Sequence, residues 1–408
     1  MNSNCEISKA RIKGDIKLSI ALMSTFVVLI LQYFILVFFD IIDTDIGNKV
    51  QIISKLIVGI IFIYALPVAL KRNNLKLILT YVAAALVFLI NYLNFTENRE
   101  YIEILIFPFF FTCLPSFIFC YSIYNLNVFG RIMKKSSNVM TVFGIIIAVM
   151  VFLGKASVGS YSMTLSYYIL IPAVIYLDQL MDKFTLKYFF SFLILVIIIL
   201  TLGARGPILC AIIFIVLKFF KKKKILNRKN IFQYTLIVAL ITILLINYRN
   251  ILISLNGFLI EKGINSRSIH LFLESGVHLS GRENIYYSIL SAIYTNPILG
   301  LGLAGDRVIT GSYSHNIFLE LLLDFGVFVG LILIFILFLL IIRALMIKDN
   351  EKYDMIIIWF SLGFVHLFIS SSYLVDIKFW IFLGLILNII TKSKLIGIKE
   401  QDEKKNNI

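Results

Sequence analysis

Residues 18–39 read LSIALMSTFVVLILQYFILVFF, and residues 331–342 read LILIFILFLLII. Neither carries a charge, and apolar side chains stand on every face of a helix instead of alternating as they would along a strand. Comparable runs recur through all 408 residues, of which 60% are hydrophobic and 15% charged, more apolar surface than a water-soluble core absorbs. An outer-membrane barrel would show ten-residue alternating segments, so that architecture is excluded. The reading is an all-α polytopic membrane protein. Residues 18–39 are too long for a cleaved signal core and lack a small-residue cleavage site, so they count as a span. The four cysteines, Cys5, Cys113, Cys120 and Cys210, have no metal-ligand spacing and read as packing residues.

Working outward, apolar runs place about twelve spans, at 18–39, 50–70, 77–95, 104–125, 138–154, 163–181, 186–202, 206–220, 231–247, 318–342, 354–373 and 377–391. An even number puts both termini on one side. Basic residues mark cytoplasmic loops. With the N-terminus inside, most of the 38 Lys and Arg fall in cytoplasmic segments, including Lys71, Arg72 and the run from Lys218 to Lys229. The net charge of +15 then reflects topology, and no nucleic-acid partner is implied. The organisation is 1–185 with six helices, 186–342 with four helices and a large external loop at 248–315, 343–391 with the last two helices, and a basic cytoplasmic tail at 392–408.

The external segment holds His270, His278 and His315 together with Arg249, Arg267, Arg282 and Arg307. Ser280 to Glu283 has the form of a helix capping box, followed by Ile285, Ile289, Leu290 and Ile293 at helical spacing. Arg282 then stands in the first turn of an amphipathic helix ending at Asn296 and Pro297, where amide groups, the helix dipole and a guanidinium suit a phosphate equally as well as a plain surface arginine. Gly300 to Gly305 matches G-x-G-x-x-G, but it follows a helix instead of a strand, so a flexible turn is the natural reading. Ser314, His315 and Asn316 lead into an apolar helix on which His315, Leu319, Leu322 and Gly326 share a face. Gly326 and Gly330 form a G-x-x-x-G pair, ordinarily a sign of close helix packing. Leu186 to Phe220 is barely long enough for two crossings, so the turn at Gly203 to Pro207 should lie below the outer surface. An arginine at that depth, Arg205, marks a functional position unless it snorkels to headgroups. Asp40, Asp43 and Asp45 read as a solvated outer turn more readily than as a metal site. His366 lies inside a late span, where a lone histidine says little.

Taken in order, the Gly203–Gly206 turn around Arg205, Ser280–Gly281–Arg282, Asn296–Pro297–Ile298–Leu299–Gly300–Leu301–Gly302 and His315–Asn316–Ile317–Phe318–Leu319–Glu320 with Gly326 resemble the O-antigen polymerase and ligase family, of the Wzy and WaaL type. The resemblance covers about Leu186 to Ile342. In the ligases a small residue follows three positions after the equivalent of Gly326; Val329 stands there in this chain. The resemblance implies a glycosyltransferase acting on undecaprenyl-diphosphate-linked sugars at the outer face of the cytoplasmic membrane. Arg205 and Arg282 would bind the donor diphosphate, with Arg267 and Arg249 as further substrate-binding arginines, and His315 would position or deprotonate the acceptor hydroxyl. No cofactor or metal is called for if arginines stabilise the leaving group. Partners would be the bilayer, the lipid-linked oligosaccharide, and a chain-length regulator and flippase of the same pathway. Polymerase is the favoured activity, ligase the first alternative. A flippase would share the span count but should show two similar halves and short outer loops.

Overall fold

The computed structural model describes residues 2–42, 44–152, 162–202, 206–222, 235, 239, 243, 246–261 and 282–406. Every regular element among them is helical: α1 (Asn2–Phe38), α2 (Asp45–Asn94), α3 (Arg99–Pro108), α4 (Leu114–Ser122), α5 (Leu126–Phe152), α6 (Ser162–Asp182), α7 (Leu186–Thr201), α8 (Gly206–Lys222), α9 (Tyr248–Glu261), α10 (Arg282–Thr295), α11 (Gly305–Thr310), α12 (Ile317–Leu345), α13 (Asn350–Trp359) and α14 (Ile377–Asn406). Among the described residues, six helices are long and apolar enough to cross a membrane. Each expected span except 231–247, which lies largely outside the described residues, meets a helix.

Helix α2 spans 50 residues, or ~75 Å at ~1.5 Å per residue, more than twice the hydrocarbon thickness. It is not one rod: Asn73 leaves helical geometry at φ −148° and ψ 45°, inside the loop expected between the second and third spans. The described residues form two compact groups, Met1–Leu22, Phe62–Phe129 and Leu279–Ile408 in the first, Met23–Ile61 and Gly130–His278 in the second.

In the first group a buried ion pair ties several chain segments together. Arg72 Nη1 donates to Asp15 Oδ1 at 2.6 Å and to Ser122 O at 2.8 Å, while Asp15 accepts from the Tyr124 and Asn125 amides at 2.9 and 3.0 Å. Asn73 Nδ2 reaches Ser122 Oγ at 2.9 Å. Asn388 of α14 donates to Tyr121 O and Ile123 O at 2.6 and 2.7 Å, satisfying carbonyls that the end of α4 leaves without helical partners. Gly384 permits this approach, since a Cβ there would stand 2.4 Å from Phe117 O.

In the second group α6 packs on α7 and α8. Lys218 of α8 is fully buried and paired with Asp178 at 2.5 Å and Asp182 at 3.1 Å. It therefore neutralises the buried Asp178 and pairs with the exposed Asp182, and this one member of the basic run is not an exposed orientation charge.

Candidate functional site

The site begins with a helix that the sequence presents as continuous. Gly326, at φ 75° and ψ 169°, interrupts α12. A Cβ on Gly330 would lie 2.9 Å from Leu321 O and Leu322 Cα. Along a straight helix residues eight apart are ~12 Å distant, so the short part before the break folds back against the part after it. Residues 327–345 are then left as a crossing of ~28 Å, and 317–325 as a short helix beside it. The expected span at 318–342 is corrected accordingly.

The break frees backbone groups, and the segment before it in sequence takes them up. Leu301 N–H donates to Leu323 O, and Val327 N–H donates to Pro297 O, both at 2.7 Å. Such close passage requires glycine: a Cβ on Gly326 would stand 2.1 Å from Ile298 O, and one on Gly300 2.2 Å from Leu323 O. Both residues have positive φ. The glycine pair 326 and 330 thus serves a fold-back within α12, not the packing of two separate helices. Nor is Gly300 to Gly305 a free turn. Asn98 Nδ2 donates to Leu301 O and Leu303 O at 2.7 and 2.9 Å, and Asn91 Oδ1 accepts from Leu303 N at 2.8 Å. The amides of Gly300, Leu301, Leu303 and Gly305 are committed to the fold.

On this frame α10 lays Ile289 and Ile293 against Leu323, with Ile285, Leu301, Leu319 and Val327 around them. The helix ends at Thr295, as the Asn-Pro pair requires, while Ser280 and Gly281 lie outside the described residues. The predicted apolar face holds except at Leu290, which is exposed.

His315 precedes α12 instead of riding on it. Asn316 is the N-cap, its Oδ1 accepting from Phe318 N and Leu319 N, and His315 takes a left-handed φ of 56°. The stripe running from His315 to Gly326 is therefore interrupted at both ends. The imidazole lies 4.3 Å, ring to ring, from Tyr313, and its Nδ1 is buried with no hydrogen-bond partner among the described residues. Burial, then the charge of Arg282, then His366 bring the His315 pKa down from 6.5 to about 4. Arg282, half-buried at the described start of α10, thus shares an electrostatic environment with His315.

Of the other predicted site residues, only Arg249 is among the described residues, exposed on α9 in the second compact group. Arg205 and Arg267 lie outside the described residues, as do Asp43, His270 and His278.

Sequence reasoning gave no role to a buried polar cluster beside His315. Arg307 Nη1 donates to Asp306 Oδ1 at 2.8 Å and stands 3.8 Å from Glu320 Oε1, while Nη2 donates to Ser372 Oγ at 3.0 Å. Ser372 in turn donates to Glu320, and Tyr373 OH donates to Asp324 Oδ2 at 2.7 Å. Burial works against the Arg307 charge, but Asp306, Glu320 and Asp324 outweigh it and raise its pKa. Burial raises Asp306, and Arg307 offsets only part of that. The available signal was two acids four residues apart, Glu320 and Asp324, at one end of an otherwise apolar run. His366 also has an acid after all, Asp376 Oδ2 at 2.7 Å from its Nδ1.

Residues 190–335 match the family model described as O-antigen ligase. No curated protein and no solved structure matches the chain significantly. The matched residues include Arg282, His315, the Gly300 loop and the Gly326 break. Residues 190–335 therefore form a domain of the O-antigen ligase family, the Wzy and WaaL type to which the ordered motifs pointed.

Proposed function

We propose that this protein is a glycosyltransferase of the cytoplasmic membrane that polymerises lipid-diphosphate-linked oligosaccharide repeat units at the outer face. The carrying observation is that the charge of Arg282, remote in sequence, acts on the half-buried His315 within the family domain. An acceptor hydroxyl attacks the anomeric carbon of the donor sugar. The new glycosidic C–O bond forms as the bond to the diphosphate breaks, inverting that centre, and the hydroxyl proton passes to His315. The departing diphosphate carries away the bonding electrons, and Arg282, together with Arg205, stabilises that charge.

The electrostatics suit this order of events. With its pKa at about 4, His315 is neutral at physiological pH and can accept a proton. It is a weak base while Arg282 is uncompensated. A bound diphosphate neutralises Arg282, lifts one cause of the depression and strengthens the base when the donor is in place.

Transfer of finished polymer to a different acceptor is the second reading, favoured by the ligase description of the matched family. Val329, where the ligase pattern has a small residue, favours the polymerase. Deletion of the gene and gel analysis of surface polysaccharide separates the two. A single repeat left on the acceptor, with the ladder lost, identifies a polymerase, whereas loss of all attached polymer identifies a ligase. An unchanged pattern overturns both.

A further inference from the structure

We propose that Arg307 is a positioning residue for His315, holding both flanks of that histidine through one buried guanidinium. The inference rests on the assignment of His315 above. On the N-terminal flank, Asp306 Oδ2 accepts from the amide of Ser314 at 2.7 Å, and Arg307 Nη1 holds the other oxygen of the same carboxylate at 2.8 Å. On the C-terminal flank, Arg307 Nη2 donates to Ser372 Oγ at 3.0 Å, and Ser372 donates to Glu320, in the first turn of the helix that follows His315. The Tyr373 amide fixes the second Glu320 oxygen at 3.3 Å. Asp306, Ser314, Glu320 and Ser372 are all fully buried, and Arg307 nearly so.

Two features argue that this cluster sets geometry and is not simply adhesive. His315 holds a left-handed φ of 56°, a conformation that a residue with a Cβ keeps only when its surroundings over-determine it. Here the surroundings are the bonds of Ser314 Oγ with Asn316 O and N, which span His315, and the hydrogen bonds that begin at Arg307 and fix Ser314 and Glu320 on either side. Buried ion clusters also seldom stabilise a fold more than apolar packing of equal volume, because desolvation offsets their attraction. A planar fork able to reach an acid and a hydroxyl in two directions does what an ammonium cannot.

The test uses Arg307→Lys, which keeps a charge beside the buried acids, in a double-mutant cycle with His315→Ala. Full-length protein in native membranes is supplied with the lipid-linked oligosaccharide extracted from a deletion strain of the source organism, and release of lipid diphosphate is timed. Arg307→Lys should lower kcat by about 10- to 100-fold, the loss that a misplaced catalytic group brings, with KM for the lipid-linked donor little changed. In the His315→Ala background the same change should cost nothing further. Ser372→Ala removes a single hydroxyl and serves where the lysine variant fails to accumulate; its loss should vanish in the same background. Equal losses with and without His315, or wild-type kcat in both variants, would overturn the proposal. Wild-type rate in His315→Ala alone sinks the functional reading instead, so the two failures are distinguishable.

Discussion

At the scale of the residue, the chemistry turns on how burial and one neighbouring charge set His315. Burial first and Arg282 second disfavour the imidazolium, so protonation is resisted until pH falls to about 4, below the ordinary 6.5. If proton acceptance is required, the acid limb of kcat/KM should lie near 4 in the free enzyme, measured as a pH profile of lipid-diphosphate release. A limb near 6.5 would contradict the assignment. Removing the charge in Arg282→Gln should move the limb upward, whereas Arg282→Lys should leave it in place and lose activity through the missing bidentate fork. His315→Ala should abolish the polymer ladder at normal protein levels and leave only the slow residual release of lipid diphosphate against which the double variants are compared. His315→Gln then discriminates, because an amide can hydrogen-bond an acceptor but cannot take its proton near neutral pH. The places of His315 and Arg282 beside helix starts were legible in the sequence. Arg307 was visible only as one more arginine of an external loop, since nothing in its neighbours' spacing says that Ser372 and Glu320 would close around it.

At the scale of the element, the decisive feature is the fold-back in α12 and the loop that seals it. The apolar run from Ile317 onward reads as a single crossing, because a helix and a broken helix have the same composition. What reveals the break is tertiary: Pro297 O and Leu301 N take up the groups that a continuous helix would have used itself. Gly326→Ala should therefore be severely destabilising. Positive φ alone costs a side-chain-bearing residue roughly 1–2 kcal/mol, and the new methyl group would also collide with Ile298 O. Gly59→Ala is the control, since nothing lies within 4 Å of its added Cβ. Thermal unfolding of the detergent-solubilised protein should show a lowered Tm for the first variant and none of that loss for the second. A normal Tm in Gly326→Ala would mean that residues 297–301 do not seal the break. Asn98→Ala probes the same loop from the other side. It leaves the buried Leu303 O and the part-buried Leu301 O without their donor, at about 1–3 kcal/mol for an unsatisfied buried polar group.

At the scale of the whole molecule, the alternation of basic and non-basic loops assigns segments to two sides, and the polar contacts within the first compact group are compatible with that assignment. Asp15, Arg72, Ser122 and Asn388 bind one another's segments, and all neighbour loops assigned to the cytoplasm. Asn98, the Gly300 loop, Arg307 and Ser372 likewise associate, and all fall in or beside segments assigned to the exterior. The grouping was legible because loop charge is a local property, whereas membership of the two compact groups depends on packing that no loop encodes. Orientation is tested by cysteine accessibility. Cys113, Cys120 and Cys210 are buried, so a Cys5→Ser background leaves few competing thiols. Ile309 on α11 and Glu351 on α13 are both exposed. A membrane-impermeant maleimide applied to spheroplasts should label Ile309→Cys directly and Glu351→Cys only after permeabilisation. The reverse pattern would place His315 and Arg282 on the cytoplasmic side, out of reach of an externally presented lipid-linked donor. Labelling of both in sealed spheroplasts would show that α11 and α13 open to one side, and the parity of the spans between them would have to be redrawn.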